Sequence, residues 1–577
     1  MILKSLCDYY DRCNDMPPMN MACINYKYAI VITPKGEFVR FDSLGEEEEG
    51  ISLFSFRPEE RTSAPIPHCM GDNGSYVLGL KDFKGQTKSD FEIERKKNRK
   101  NHNAFIDDIK ELHKVLSDNK YVNAVSLFYE NYNESTFIQF IEDPLWSNVC
   151  KSLNKNITFR LNGEEELAVQ DTDIINYKIS KVQNTNKEVV CLVTGEVLKP
   201  VSSTYSTFIL GGKSNAKLVS FQVSSGYDSY GKKKGLNAPI SSESEFKYTT
   251  SLLRMLSKKS HNKFTIASRT YLFWASSDNK ACSQVENAIF NMFGFNQNED
   301  DPNMRIEQVH KVFKAIYSGA LETSLDDKFY ILGLAPNSAR IAVVYWAEIQ
   351  LKKFASIIQR HFDDMEIIDN RRKKSPYMGL KSILAAVTLD SKSKEIIPDL
   401  PDAVAKSIFQ GFAYPYTLFT TCIRRIRAEQ DVTITRSAII KAYLNRLDDN
   451  EKKIEVMLDK ENRNQGYLCG RLFATLEKIQ EEASKNSSIR ERYMNSASAT
   501  PAMVFPTILN LSSYHSEKLS EGRNIQFEKL KQEIIDKISA DGFPVQLDLQ
   551  NQGRFFVGYY HQRQELFEKK LDKNVNE

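Results

Sequence analysis

The strongest limit on what this chain can fold into is a change of hydrophobic period at residues 329–348, FYILGLAPNSARIAVVYWAE. Two β-branched and aromatic runs, 329–334 and 341–346, flank Ala335-Pro336-Asn337-Ser338-Ala339. Such runs bounded by Pro, Asn and Ser predict two strands joined by a loop. Ahead of this hairpin the chain shows mostly short strand patterns with a few helices. Beyond it nearly every periodic segment repeats at 3.6 residues. The expected fold class is therefore α+β: a mixed N-terminal α/β body of antiparallel strands and helices over 1–365, then a C-terminal all-α helical bundle over 366–577. A chain of 577 residues exceeds one ordinary core, which also asks for more than one domain.

Several local signals fill this outline. Ile2, Leu6, Tyr9, Tyr10 and Cys13 have helical spacing. Residues 27–32 and 37–41 read as a hairpin across Thr33-Pro34-Lys35-Gly36, and 51–57 and 76–80 as further strands. Residues 81–120 are rich in Lys and Arg and carry the apolar stripe Ile106, Ile109, Leu112, Val115 and Leu116. This predicts a basic amphipathic helix pair, within an inserted subdomain of about 81–185. Residues 157–161, 189–193, 218–223 and 264–274 read as strands, and 302–317 as a helix. After the hairpin, helices are expected over 349–363, 377–389, 402–428, 435–447, 463–484, 501–516, 525–539 and 554–570. Thr500-Pro501 is a start signal, an N-cap hydroxyl before proline at the first helical position. Leu468, Leu472, Leu476 and Ile479 make one packing stripe, and Phe527, Leu530, Ile534 and Ile538 another.

Chemistry is harder to find. Nine cysteines contain no C-x-x-C, so neither a zinc knuckle nor a redox pair is indicated, and eight scattered histidines include no pair at metal-ligand spacing. Gly212-Lys213-Ser214 imitates the end of a P-loop, but the glycine required five residues earlier is Thr207. A Gly-Gly turn with Lys213 keeps the weaker option of touching one phosphate. No apolar run approaches the roughly 20 residues of a membrane span, and the N-terminus, charged by Lys4, lacks a signal-peptide cleavage pattern. A cytoplasmic protein without cofactor, metal or membrane is expected.

The remaining signals suit nucleic acid, although the net charge is only +3. Lys232, Lys233 and Lys234 follow a Tyr-bearing, Gly-flanked loop, where lysines can hold phosphates while a ring stacks a base. Gly71-Asp72-Asn73-Gly74-Ser75 is a tight turn, and Asn73 carries both a donor and an acceptor that could read a base edge. An ordinary turn accounts for either motif taken alone.

Eight segments in order resemble one family: MILKSLCDYYDR; Asp72-Asn73 with Tyr76-Val77-Leu78-Gly79; Cys191-Leu192-Val193-Thr194-Gly195; Leu218-Val219-Ser220-Phe221; Ser229-Tyr230-Gly231 with Asn237-Ala238-Pro239; Leu332 through Arg340, LGLAPNSAR; Gly470-Arg471-Leu472-Phe473-Ala474; and Gly558-Tyr559-Tyr560-His561-Gln562-Arg563. Together they resemble the large subunit of the type I-C CRISPR–Cas surveillance complex, Cascade (the Csd-type subunit), from the first residue to about 567. One departure is 265–275, TIASRTYLFWA, where the family often carries Gly-Asp-Thr-Thr.

The resemblance implies a non-catalytic subunit. It would bind the protospacer-adjacent motif (PAM) in double-stranded target DNA, promote duplex opening and R-loop formation, help hold the displaced strand and recruit a helicase–nuclease. Implied partners are the guide RNA ribonucleoprotein, with its Cascade backbone and crRNA-processing subunits, and a small subunit, which internal translation from near Met457 would supply. On this reading Asn73 reads a PAM base, supported by Gly71, Asp72 and Ser75. Lys27, Lys35, Lys213, Lys232, Lys233 and Lys234 meet phosphates, and Arg424, Arg425 and Arg427 meet the displaced strand. The competing classes are a metal-dependent nuclease with a dispersed carboxylate site near Asp300 and Asp301, and a purely protein-binding scaffold.

Overall fold

The computed structural model describes residues 2–61, 64–84, 87–181, 188–221, 228, 230–266, 268–293, 304–370, 378–388, 397, 399–447, 453–484 and 489–567. The chain forms two compact units, Met1–Ser257 with Asn337–Ile341, and Lys258–Pro336 with Ala342–Glu577.

The first unit is built on a five-stranded sheet. Its long strand β1 (Met21–Ile32) pairs antiparallel with β2 (Phe38–Ser43) along its second half and with β3 (Ile51–Phe56) along its first. The short β4 (Gly71–Asn73) pairs antiparallel with β5 (Asn156–Leu161), and β5 runs parallel to β1. That parallel pairing departs from the all-antiparallel expectation. Parallel neighbours need a long crossover, supplied here by the helices Lys88–Lys97, Arg99–Val115, Lys120–Glu130, Glu134–Glu142 and Trp146–Lys151. Tyr26, Ile30, Phe91, Phe105, Phe128, Phe140, Trp146 and Phe159 share one core. The described residues of 81–185, the segment expected as an inserted subdomain, share the sheet's core through side chains such as Phe83, Phe105, Phe128 and Ile174.

Residues 76–80 form no strand. Gly74–Val77 is a short helix capped by Asn73. Residues 189–193 give only the two-residue strand β6 (Val189–Val190), paired with β7 (Val197–Leu198). Residues 218–221 are not strand, and 222–223 lie outside the described residues.

The second unit holds a four-stranded sheet of β8 (Lys263–Ile266), β9 (Arg269–Ala275), β10 (Lys328–Asn337) and β11 (Arg340–Gln350), in order β11-β10-β9-β8. The single strand expected over 264–274 is a hairpin. The helices that follow share this sheet's core: Phe329 stacks on Phe354 at 4.8 Å and Phe293 lies 4.8 Å from Phe409. For that reason the units part near Ser257. Beyond residue 366 every described element is a helix, as the α+β fold class with a helical C-terminal region requires. The helix expected over 402–428 is two, Leu400–Gln410 and Tyr416–Glu429. Gly411 takes a left-handed φ of 71° and Pro415 caps the next helix. Ile489–Ala499 is an additional helix. Among the described residues no helix is long and apolar enough to cross a membrane.

The central pair of this unit is Gln465–Ala483 against Leu549–Phe567. A Cβ on Gly466 would lie 2.3 Å from the Asn551 carbonyl oxygen, one on Gly470 2.0 Å from that of Phe555, and one on Gly558 2.3 Å from that of Tyr467. The glycines bring backbone against backbone. Buried polar groups lock the pair: Glu477 accepts from Arg490 Nε at 2.6 Å and Tyr559 Oη at 2.5 Å, Arg471 Nε donates to Gln562 at 3.0 Å, and Tyr467 Oη meets His561 Nδ1 at 2.9 Å.

Candidate nucleic-acid interface

The turn at Asn73 is fixed from several directions. Met70, ahead of β4, is buried at a left-handed φ of 56°, and its carbonyl accepts from Thr158 Oγ1 at 3.0 Å. A side chain on Gly71 would crowd Tyr26, Thr158 and Val169 at about 3 Å. Asp72 is 0% exposed. Its carboxylate accepts from the Arg61 guanidinium, from His68 N–H at 2.9 Å and from Asn73 N–H at 2.7 Å. Arg61 in turn lies over the Tyr76 ring at 4.1 Å. Asn73 Oδ1 accepts from Ser75 N–H at 3.0 Å and Ser75 Oγ at 2.7 Å, the N-cap arrangement that satisfies a free helical donor.

The far end of the short helix is satisfied by side chains. His102 Nδ1 donates to the Tyr76 carbonyl at 2.8 Å, Tyr129 to that of Val77 at 2.8 Å and Tyr132 to that of Leu78 at 3.0 Å. Buried polar groups placed this way hold the turn with little freedom.

These contacts change the roles expected from sequence. Gly71, Asp72 and Ser75, expected as DNA-contacting residues, are buried and build the turn. Asn73 is half-buried. Its oxygen is committed, and only Nδ2 has no partner among the described residues. Asn73 is therefore a donor, whereas the sequence suggested a donor–acceptor pair.

Burial holds the His102 imidazole neutral, with its pKa pushed down to about 4; the Arg95 charge works in the same direction, and the hydrogen bond to the Tyr76 carbonyl opposes it. His361 and His561, buried in the second unit, are pushed down to about 3, chiefly by desolvation. A lowered folded pKa means that the unfolded chain binds protons first. Stability is complete above the unfolded value near 6.5 and is lost as pH falls toward the folded values, at about 1.4 kcal/mol per pH unit for each group. The thermal midpoint should fall from pH 7 to pH 5, and His102→Gln should make that fall shallower. An unchanged slope in the variant would place the acid sensitivity elsewhere.

The lysines divide. Lys27 Nζ donates to the carbonyls of Gly45 at 3.2 Å and Glu47 at 2.8 Å, which ties it to the acidic 46–49 loop. Lys35 is exposed on the β1–β2 turn. Lys213 is exposed, but the Gly-Gly turn before it is closed by Gly212 N–H donating to the Ile209 carbonyl at 2.9 Å, so that amide is not offered to an anion. Lys232, Lys233 and Lys234 are exposed. Tyr230 beside them is 99% exposed, at a φ of 55°, with Gly231 at 72°. Asp228 Oδ1 accepts from Lys234 N–H at 3.3 Å and Asn237 Nδ2 at 3.0 Å, pinning the base of the loop. The tip of the β10–β11 hairpin belongs to this unit, with Ile341 N–H donating to the Lys217 carbonyl at 3.0 Å.

In the second unit Arg424, Arg425 and Arg427 differ in exposure and partners. Arg424 is exposed. Arg425 pairs with Glu429, and Arg427 donates to Gln552 Oε1 at 2.8 Å. Arg424 and Arg427, three apart, lie on neighbouring sides of the helix while Arg425 turns away from Arg424, and residues of the same unit take up Arg425 and Arg427. Among the described residues no group of three His, Cys, Asp or Glu could hold a metal ion. Asp300 and Asp301 lie outside the described residues. Met457 is exposed ahead of the Gln465–Ala483 helix.

No curated protein matches the chain. The family model for CRISPR-associated protein (Cas_Csd1) matches residues 6–567. That span contains both units, the fixed Asn73 turn and the glycine-packed helix pair, and the chain belongs to the Cas_Csd1 family of CRISPR-associated proteins, the type I-C Cascade large subunits.

Proposed function

We propose that this Cascade subunit reads the PAM in double-stranded target DNA through Asn73, aids duplex opening and R-loop formation, and recruits a separate helicase–nuclease without chemistry of its own. It works in the cytoplasm beside guide RNA, backbone and crRNA-processing subunits, and a small subunit translated from near Met457. In such machines pairing to the guide reads most of the sequence, and the protein needs only a short motif plus the shape and charge of the duplex. Lys35, Lys213 and the Lys232–Lys233–Lys234 loop with Tyr230 supply phosphate and stacking contacts, and Arg424 contacts the displaced strand.

One observation carries this reading. Asn73 Oδ1 is held by Ser75 and leaves the Nδ2 amide, with its two N–H donors, as the group offered by a turn fixed by its hydrogen bonds. Such donors select acceptors such as guanine O6 and N7 or thymine O4 in the major groove.

Asn73→Asp tests it, because aspartate keeps the N-cap acceptor and removes the donor. In the assembled complex, the ratio of binding to matched over motif-altered duplex should drop about fivefold, the worth of roughly 1 kcal/mol at the low end for a base contact. The melting midpoint should stay where it is. A preserved ratio would sink the base-reading role.

A further inference from the structure

The turn at Asn73 has two basic neighbours to which no role has yet been given. The first is the corner where the helices Lys88–Lys97 and Arg99–Val115 meet. Five of the six residues 95–100 are basic. Two are occupied: Arg95 lies over the Tyr132 ring at 4.6 Å, and Lys97 meets Glu94 at 3.1 Å. Lys96, Arg99 and Lys100 are exposed and have no partner among the described residues. The next residue, Asn101, donates to Ser75 Oγ at 3.2 Å, and the same Oγ donates to Asn73. The corner therefore sits one side chain away from the reading turn.

The second neighbour is an open cleft of about 770 Å³ with exposed Lys81, Lys84 and Lys151 on its rim and buried Phe83, Trp146 and Leu153 on its wall. It also touches the turn. Gly74 N–H donates to the Leu153 carbonyl at 2.8 Å, and Leu80 N–H to the Gly74 carbonyl at 3.0 Å. Among the described residues Asp82 is the one carboxylate lining the cleft, against three lysines. Glu94 links both neighbours, accepting from the Asp82 backbone and from Asn98 Nδ2 at 3.0 Å.

We propose that these six side chains are two phosphate-binding arms flanking the Asn73 turn, which grip the sugar–phosphate backbones of the DNA duplex that Asn73 reads. The proposal rests on the reading of Asn73 as a base contact. Ammonium and guanidinium groups without internal partners gain most from phosphate, because no internal ion pair must be broken. The cleft's aromatic wall suits the apolar face of deoxyribose. Phosphate contacts on both neighbours would fix orientation and register, the task that base contacts alone do not perform.

Two triple variants test the arms in the assembled complex: Lys96→Ala/Arg99→Ala/Lys100→Ala, and Lys81→Ala/Lys84→Ala/Lys151→Ala. The probe is a fluorescent DNA duplex with matched or altered motif, beside single-stranded DNA and an RNA duplex of equal length. Each triple should weaken duplex DNA binding about tenfold or more and lessen the slope of log K against log salt by about 2.7, the value for three phosphates. The loss should be equal on matched and altered motifs. Lys110→Ala/Lys114→Ala, about 15 Å farther along the same helix, should change nothing. Unchanged affinity and slope, or losses confined to RNA or single strands, would overturn the arms. An effect of Asn73→Asp with none from the triples leaves base reading intact and removes the arms; the reverse result leaves the arms as general duplex contacts and removes base reading.

Discussion

Gly470→Ala is expected to lower the thermal midpoint of the full chain, while the same substitution at Gly522 raises it. Both glycines are helical, in Gln465–Ala483 and Glu521–Ile535. In an exposed helix the exchange gains about 1 kcal/mol, because alanine has less backbone entropy to lose. Gly522 has nothing within 4 Å of an added Cβ, so that gain is unopposed. At Gly470 the methyl group would sit 2.0 Å from the Phe555 carbonyl oxygen and 2.8 Å from both its carbon and Tyr559 N. These are backbone atoms of the opposing helix and cannot swing aside. Overpacking against yielding side chains costs about 1–3 kcal/mol; separating a helix pair costs at least the upper end. It also pulls apart Arg471 and Gln562, and Glu477 and Tyr559, all buried. A net loss of about 2 kcal/mol or more follows, read as a fall in midpoint with earlier proteolysis. If both variants move the midpoint the same way, the close approach is not what these glycines serve.

The helix pair also shows what periodicity can deliver. Leu468, Leu472, Leu476 and Ile479 are all buried, as their spacing predicts. A stripe reports that a face is covered but not what covers it, so the role of Gly466 and Gly470 becomes visible only against Asn551 and Phe555. The segments Gly470–Ala474 and Gly558–Arg563, which carry much of the family resemblance, are therefore packing and polar-lock residues; Arg471 is 0% exposed.

The candidate site was legible to a similar depth. Its turn could be read from Gly, Asp, Asn and Ser. The commitment of Asn73 Oδ1 to Ser75 could not, because it depends on whether 74–77 becomes helix or strand. That choice is settled by distant side chains, His102, Tyr129 and Tyr132, which take the helix's carbonyls. Arg425 and Arg427 show a related limit. Charge on a helix is visible in sequence, whereas the Glu429 and Gln552 that absorb it are matters of packing.

Asp72→Ala should abolish motif discrimination without removing any group that could touch DNA. The carboxylate is the node of the turn: Arg61, His68 N–H and Asn73 N–H all donate to it, and none of its surface is exposed. Removing it leaves a part-buried guanidinium and two backbone donors unsatisfied. Breaking a buried charged pair from one side costs about 3–5 kcal/mol, partly relieved here because Arg61 is about a third exposed and can turn to water. The freed Asn73 N–H lets the cap rotate, and the Nδ2 amide loses its fixed direction. Asp72→Asn separates charge from shape. It retains one acceptor for a backbone N–H but forfeits the pairing with Arg61, so discrimination should fall between the wild type and Asp72→Ala. Competition binding of matched against altered duplex reads this order, with the melting midpoint as a check on folding. Full discrimination in a folded Asp72→Ala complex would mean that the turn keeps its shape without its central acceptor, and Asn73 would then owe its position to Ser75 and the Gly74–Val77 helix alone.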